Sequence, residues 1–102
     1  MILHLATFTF VPNAGPDDVA ALTADLLAMA DGLPVLRGYR AGENLRVRPG
    51  ADYGVAALVD DEAALVDYLD SAAHKAVYER WLSWMIDSRQ AVQLAVPAGT
   101  TL

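Results

Sequence analysis

Residues 2–11 read ILHLATFTFV, and neither face of such a strand suits water. Side chains alternate along a strand, so one face carries Ile2, His4, Ala6, Phe8 and Phe10. The other carries Leu3, Leu5, Thr7, Thr9 and Val11. Strands apolar on both sides belong in sheets that are covered on both faces. A chain of 102 residues is one domain in size. One helical layer covers one face, and a second cover must come from elsewhere. Composition agrees, because 55% of the residues are apolar and the mean hydropathy is +0.29. That surplus points to a subunit interface. It does not point to lipid, since no apolar run approaches the ~18 residues of a membrane span.

The other elements follow from punctuation and spacing. Pro12-Asn13-Ala14-Gly15 is a turn, and Pro16-Asp17-Asp18 opens a helix, with proline in its first turn and acids at its positive end. Val19, Leu22, Leu26, Met29, Ala30 and Leu33 form one apolar stripe, which Gly32 and Pro34 bring to a stop. A second strand is expected over 36–43, a loop over 44–52 around Pro49-Gly50, and a third strand over 53–59, YGVAALV. Asp60 or Asp61 caps a helix that buries Leu65, Tyr68 and Leu69. After Ser71 a further helical piece runs to about Asp87, with His74, Val77, Tyr78, Trp81 and Met85 on one face. A last strand is expected over 89–96 and a tail over 97–102. The order βαββαβ makes an α+β, ferredoxin-like fold: a four-stranded antiparallel sheet with its helices on one face. Residues 1–96 are expected to form a single domain. Pairing two such sheets face to face covers Leu3, Leu5, Thr7 and Thr9, so a homodimer is expected.

Several classes of function find no footing. The net charge of −6 and a pI near 4.5 disfavour nucleic acid and anionic membranes as partners. With no cysteine there is no disulfide, thiolate metal site or thiol nucleophile. The first residues lack a basic region, which argues against a signal peptide and for a soluble, cytoplasmic protein. The two histidines show no HxH, HxxxH or HExxH spacing, and no GxGxxG or GxxxxGK[ST] loop is present, so neither metal nor cofactor is expected. No Gly-x-Ser-x-Gly elbow occurs, and Ser71, Ser83 and Ser88 fit caps or helix surface. Arg37, Arg40, Arg46 and Arg48 read as a solvated strand and loop, with guidance of an acidic substrate or a subunit bridge as the alternative.

Ile2-Leu3-His4-Leu5-Ala6-Thr7-Phe8-Thr9-Phe10, the third strand entered through Asp52-Tyr53-Gly54-Val55, and Ala73-His74 opening a helix together resemble the stress-responsive A/B barrel family. The resemblance spans residues 1 to about 96. It implies that two ferredoxin-like units build a common α/β barrel. The family often carries His-Pro-Ala-His before its long helix, where this chain has Ser71-Ala72-Ala73-His74. Some plant members cyclise linear polyketides by an aldol reaction without metal or organic cofactor. They use a helix Tyr, a His six residues later, and a His on the first strand. Tyr68, His74 and His4 match those positions. A further pocket His, two residues after a third-strand Tyr, is not matched, because Val55 stands there. The resemblance implies a pocket for a small hydrophobic, phenolic or polyketide-like ligand, without carrying the plant reaction over whole.

The residues of YLDSAAHKAVY (68–78) support a pocket on their own terms. With Ser71 as N-cap, His74 is the third helical residue, where the helix terminus disfavours a cation and lowers the imidazole below its usual ~6.5. A neutral imidazole serves as general base or hydrogen-bond donor. His4 shares its strand face with Phe8 and Phe10, and Tyr68 lies on the buried side of the preceding helix. Ala6, Gly54 and Ala57 leave room beneath the helices. The plainer reading makes both histidines hydrogen-bonded core residues, satisfied by each other or by backbone, and Tyr68 a buried ring with one partner. Tyr53, Tyr78, Trp81 and Trp84 fit core or interface.

The function expected is cofactor-free acid–base chemistry in a homodimer, of the aldol-cyclisation, dehydration or isomerisation type. His74 would remove a proton α to a carbonyl, Tyr68 would orient His74 or polarise the carbonyl, and His4 would hydrogen-bond the substrate. The alternatives are a non-catalytic stress-associated or ligand-binding dimer, and a cofactor-independent monooxygenase, a chemistry that other dimeric α/β barrels run in a similar pocket.

Overall fold

The computed structural model describes Met1–Leu102. Strand β1 (Ile2–Phe10) leads into helix α1 (Pro16–Asp31), followed by β2 (Gly38–Glu43) and β3 (Tyr53–Val59). Helix α2 (Glu62–Leu69) and helix α3 (Ala72–Val77) come next. The latter continues through a π-helical turn (Tyr78–Leu82) and a last α-helical turn (Ser83–Met85) into β4 (Ile86–Ala95). The strands lie in the order β2-β3-β1-β4, every neighbouring pair antiparallel. This is the ferredoxin-like arrangement the sequence predicts.

Local chemistry sets the helix ends. Pro16 follows the Gly15 N-cap, and the Asp18 carboxylate reaches back to accept the Gly15 N–H at 2.9 Å. Asp61 is the cap of α2, accepting from the Ala64 N–H at 2.8 Å. Asp60 instead takes a two-pronged contact from Arg37 on the surface. Val19, Leu22, Leu26 and Met29 of α1 are buried against the sheet, each contributing roughly 1.5–3 kcal/mol by leaving water.

Registers assign the two sheet faces. Tyr39, Ala57, His4 and Gln93 stand in one row across all four strands, and Tyr53, Phe8 and Arg89 in another. These rows belong to the helix-covered face, with Ala6 and Val55 between them. The opposite face presents Leu3, Leu5, Val92 and Leu94, the last two exposed. Only its β2 side is partly covered, by the returning tail. Leu102 lies so close over Gly38 that an added Cβ would come within 3.3 Å of it, and its carbonyl accepts from Arg40 at 2.9 Å. No helix is long and apolar enough to cross a membrane.

Several boundaries differ from expectation, with β1 and β4 each ending one residue early. β2 begins at Gly38, not residue 36, because the Leu36 N–H still closes a turn on the Leu33 carbonyl. The last helix ends at Met85 and β4 begins at Ile86, not residue 89. The Val11 N–H donates to the Met85 carbonyl at 2.8 Å, and the pairing then absorbs Asp87 as a bulge beside Thr9 and Phe10. Gly54 pairs with Thr7 on the open face, so it leaves no room beneath the helices. Ala57 is fully buried in the covered face.

Candidate functional site

The break within YLDSAAHKAVY is built around one hydroxyl. Ser71 Oγ donates to the Tyr68 carbonyl at 2.8 Å, closing α2, and accepts the His74 N–H at 3.1 Å, opening α3. His74 is therefore the third residue of its helix, as the cap position predicts. The bend aims the side chains of two successive helices at one place. The Tyr68 and His74 rings lie 5.1 Å apart at 78°. From the sheet, His4 reaches the other edge of Tyr68 at 6.4 Å and 73°. All three line one cavity of about 150 Å³ between sheet and helices.

The floor and walls include buried Ala6, Phe8, Leu26, Tyr39 and Val55. Exposed Tyr78, Arg89 and Ala91 mark the mouth, toward the β4 edge. His74, Tyr78 and Leu82 reach this cavity from every fourth helical position. In a regular α-helix each such step rotates the side chain by about 40°, which would carry the third one off the wall. The wider π-helical turn over Tyr78–Leu82 takes up that drift, as π turns at functional sites often do.

Burial dominates the electrostatics. It lowers the imidazole of His4 below its ordinary value, with Arg89 adding a smaller push. Burial also lowers His74, helped by His4 and Arg89. The Leu69 carbonyl, close to the ring but short of good hydrogen-bond geometry, opposes it, as does Asp70. The direction matches the sequence expectation; the leading cause is desolvation, not the helix terminus. Both rings are neutral at pH 7. His4 Nδ1 lies 2.9 Å from the Gln93 amide nitrogen, a group that only donates. Nδ1 therefore accepts, and the ring proton sits on Nε2. The partner of His4 is thus Gln93, not His74 or backbone.

The phenols divide differently. Burial raises Tyr68, while the neighbouring Tyr39 pulls it back. Tyr39 lies far above the ordinary phenol range, through burial first and then through Tyr68 and Tyr53. The two hydroxyls are neighbours, and each acts on the other's proton. The Tyr39 hydroxyl is buried with no hydrogen-bond partner in good geometry. No group of three or more His, Asp or Glu side chains converges as a metal site.

Sequence reasoning brought His4, Tyr68 and His74 together and missed three neighbours. Tyr39 sits in an irregular, Arg- and Gly-rich strand, and only its pairing with Ala57, itself opposite His4, signals its face. Gln93 and Arg89 follow from the β1–β4 register, which alternation alone does not provide. None of Arg37, Arg40, Arg46 and Arg48 lines the cavity. Arg37 pairs with Asp60 and Arg46 with Asp52 on the surface. Of the aromatics expected in core or interface, Tyr53 is buried, and Trp81 is half-buried with its N–H on Asp25 at 2.6 Å. Trp84 and Tyr78 are exposed, the latter at the cavity mouth.

The chain matches the Stress Responsive A/B Barrel Domain family over residues 2–95. No curated protein matches it. A dimeric ferredoxin-like protein of unknown function from Thermobifida fusca is 30% identical, with 93% of this chain and 90% of that one covered at a TM-score of 0.85. A Dabb family protein with a ferredoxin-like fold from Mesorhizobium loti is 18% identical, covering 96% and 97% at 0.76. A hydroxynitrile lyase from Passiflora edulis is 10% identical, covering 97% and 95% at 0.79. At those lower identities the last two show the fold alone. Matched over nearly its whole length, the chain belongs to the stress responsive A/B barrel domain family.

Proposed function

We propose that residues 1–96 act as one domain that pairs with a second copy through its open sheet face, and that each subunit uses its cavity for cofactor-free acid–base chemistry on a small carbonyl compound. Leu3, Leu5, Val92 and Leu94 supply the apolar surface for pairing, and the Thermobifida fusca relative is described as dimeric. Val92→Glu with Leu94→Glu is expected to yield monomers in sedimentation equilibrium. A dimer that persists in that variant would move the interface elsewhere.

The observation that carries the catalytic reading is convergence. Two neutral imidazoles and a phenol, from three different elements, meet at one partly enclosed cavity. An N–H of His74 turned toward the Leu69 carbonyl leaves the opposite nitrogen's lone pair free to take a proton α to a carbonyl. Tyr68 and the Nε2–H of His4 are donors for the oxygen on which negative charge develops. The size limits the substrate: an apolar cavity of ~150 Å³ holds one benzene ring. A single-ring or short-chain compound fits the enclosed part, and a long polyketide does not.

Exchange of α-hydrogens for deuterium in phenylacetone, followed by NMR, tests the reading without knowledge of the natural substrate. Wild-type protein is expected to accelerate exchange and His74→Ala to abolish it with the fold intact. Equal exchange by the variant would sink the assignment. The hydrogen bond that satisfies His4 through Gln93 favours a second reading, a ligand-binding dimer without turnover. Binding of phenylacetone with no exchange in either protein would select it.

A further inference from the structure

The cavity is unusual in charge for this chain. The protein carries 13 Asp and Glu against 7 Lys and Arg, yet not one carboxylate lines the cavity, and its lining includes a single guanidinium, that of Arg89. Arg37, Arg46 and Arg80 each hold an aspartate, and Arg40 and Arg48 turn to backbone carbonyls; Arg89 belongs to no ion pair and is the one that lines the cavity. The nearest acid felt inside is Asp70, which acts on His74 from beyond the lining. The same cavity holds the hydroxyl of Tyr39, a residue more than nine-tenths buried, which lies beside the Tyr68 hydroxyl but makes no hydrogen bond in good geometry. A buried phenol without an acceptor costs roughly 1–3 kcal/mol, and native structures rarely keep one without a purpose. The two features sit at opposite ends, since Arg89 is on the β4 edge strand and Tyr39 on the far edge strand β2.

We infer that the cavity takes a small oxo-carboxylate, its carboxylate held at the mouth by Arg89 and its oxo oxygen accepting from the Tyr39 hydroxyl on the floor. This rests on the carbonyl reading above and narrows it. A guanidinium presents two parallel N–H groups to a carboxylate, which fixes orientation as well as charge. Placing that pair at the exposed end leaves the ring or chain of the ligand among Phe8, Leu26 and Val55. The carbonyl then lies by the Tyr39–Tyr68 phenols, where Tyr68 is a second donor for the developing oxyanion. Tyr39 is a binding residue in this scheme, and His74 keeps the proton transfer.

Benzoate, its neutral isostere benzamide, and the oxo acid 4-formylbenzoate, whose carboxylate and oxo group lie across the ring from each other, separate the parts by calorimetric titration of the full chain. None has a removable α-hydrogen, so these titrations probe the seat alone. Benzoate is expected to bind at least tenfold more tightly than benzamide, and Arg89→Gln to erase that difference. Tyr39→Phe is expected to weaken 4-formylbenzoate at least fivefold and leave benzoate unchanged. Equal binding of benzoate and benzamide, no binding of benzoate, or an Arg89→Gln variant with wild-type affinity would overturn the carboxylate seat. An unaltered 4-formylbenzoate affinity in Tyr39→Phe would overturn the oxo contact. Arg89 is exposed on an edge strand, so its variant folds, and Tyr39→Phe keeps the ring. Failure of deuterium exchange with the carboxylate seat intact would strike the acid–base reading only.

Discussion

At one end of the covered sheet face, Tyr53 is sealed between Phe8, Phe10 and Thr23, while toward the other end Tyr39 and Tyr68 stand beside two histidines. Both regions bury phenols on the same sheet, about 13 Å apart along the strands. At the Tyr53 end every requirement is met. Its ring stacks on Phe8 at 6.2 Å and leans on Phe10 at 5.6 Å. Its hydroxyl lies 2.7 Å from Thr23 Oγ1, which donates onward to the Val19 carbonyl at 2.9 Å, so Tyr53 is the donor of the pair. At the Tyr39 end the aromatic contacts are edge-on, and the Tyr39 hydroxyl makes no hydrogen bond in good geometry. One end is finished as core. The other leaves a buried hydroxyl without a well-formed hydrogen bond, and that difference separates the two ends within one layer.

The largest effect expected of this division is on stability. Tyr53→Ala should cost about 3–5 kcal/mol, the range for removing a large ring from a packed core, read from urea unfolding. A loss below about 1 kcal/mol would put the two ends on a par. Removing hydroxyls alone sharpens the test. Tyr53→Phe strands Thr23 as an acceptor and should lose roughly 0.5–1.5 kcal/mol. Tyr39→Phe removes an orphan donor and should leave stability unchanged or raise it. A loss above about 1 kcal/mol in Tyr39→Phe would show that its hydroxyl is satisfied after all.

How much of this was legible in sequence follows the same line. The closed end could be read from alternation and helical spacing, because packing depends on which residues share a face. Val19, Leu22, Leu26 and Met29 all point where their spacing puts them. His4, Tyr68 and His74 were within reach because each lies on an element whose phase is strong, and because Ser71 marks the break between helices. Tyr39, Arg89 and Gln93 were not, since their roles depend on strand registers set by long-range pairing. Gly54 needed no register: it stands three residues before Ala57 in one strand, so alternation alone puts the two on opposite faces. The π-helical turn has no spacing signal of its own. It becomes visible only once Leu82 is found buried beside Tyr78 on the cavity wall.

Protonation distinguishes the ends next, with a smaller effect. Both histidines have imidazoles lowered in the folded protein, so between the lowered values and ~6.5 the unfolded chain binds more protons. Stability is then full above pH ~6.5 and declines as pH falls through that window. The slope cannot exceed ~1.4 kcal/mol per pH unit for each ring, and partial solvent access reduces it to a fraction of that. Because His4 is itself a cause of the His74 shift, the two titrate together. The lowered carboxyls of Asp52 and Asp60 make their loss only below the ordinary carboxylate range, well outside this window. Urea midpoints at pH 7.5 and 5.5 should therefore differ in the wild type and converge in a His4→Gln, His74→Gln double variant. Midpoints independent of pH in the wild type would mean that the rings are as solvated as in the unfolded chain.

Gln93 is expected to give a small loss of stability and the most specific change in the site. It pairs with His4 across an exposed edge strand, so Gln93→Leu should cost a few tenths of a kcal/mol to about 1 kcal/mol. The informative readout is the nitrogen spectrum of His4. With the amide in place, Nδ1 should show the signature of an acceptor and Nε2 that of a protonated nitrogen. Without it the tautomers should mix, and any exchange of phenylacetone should slow with little change in its binding, because a donor aimed at the oxyanion is then present only part of the time. A His4 that stays in one tautomer in Gln93→Leu would mean that the ring is held from the cavity side. That result would move His4 from the open end of the comparison to the closed one, leaving His74 and Tyr68 to carry the chemistry.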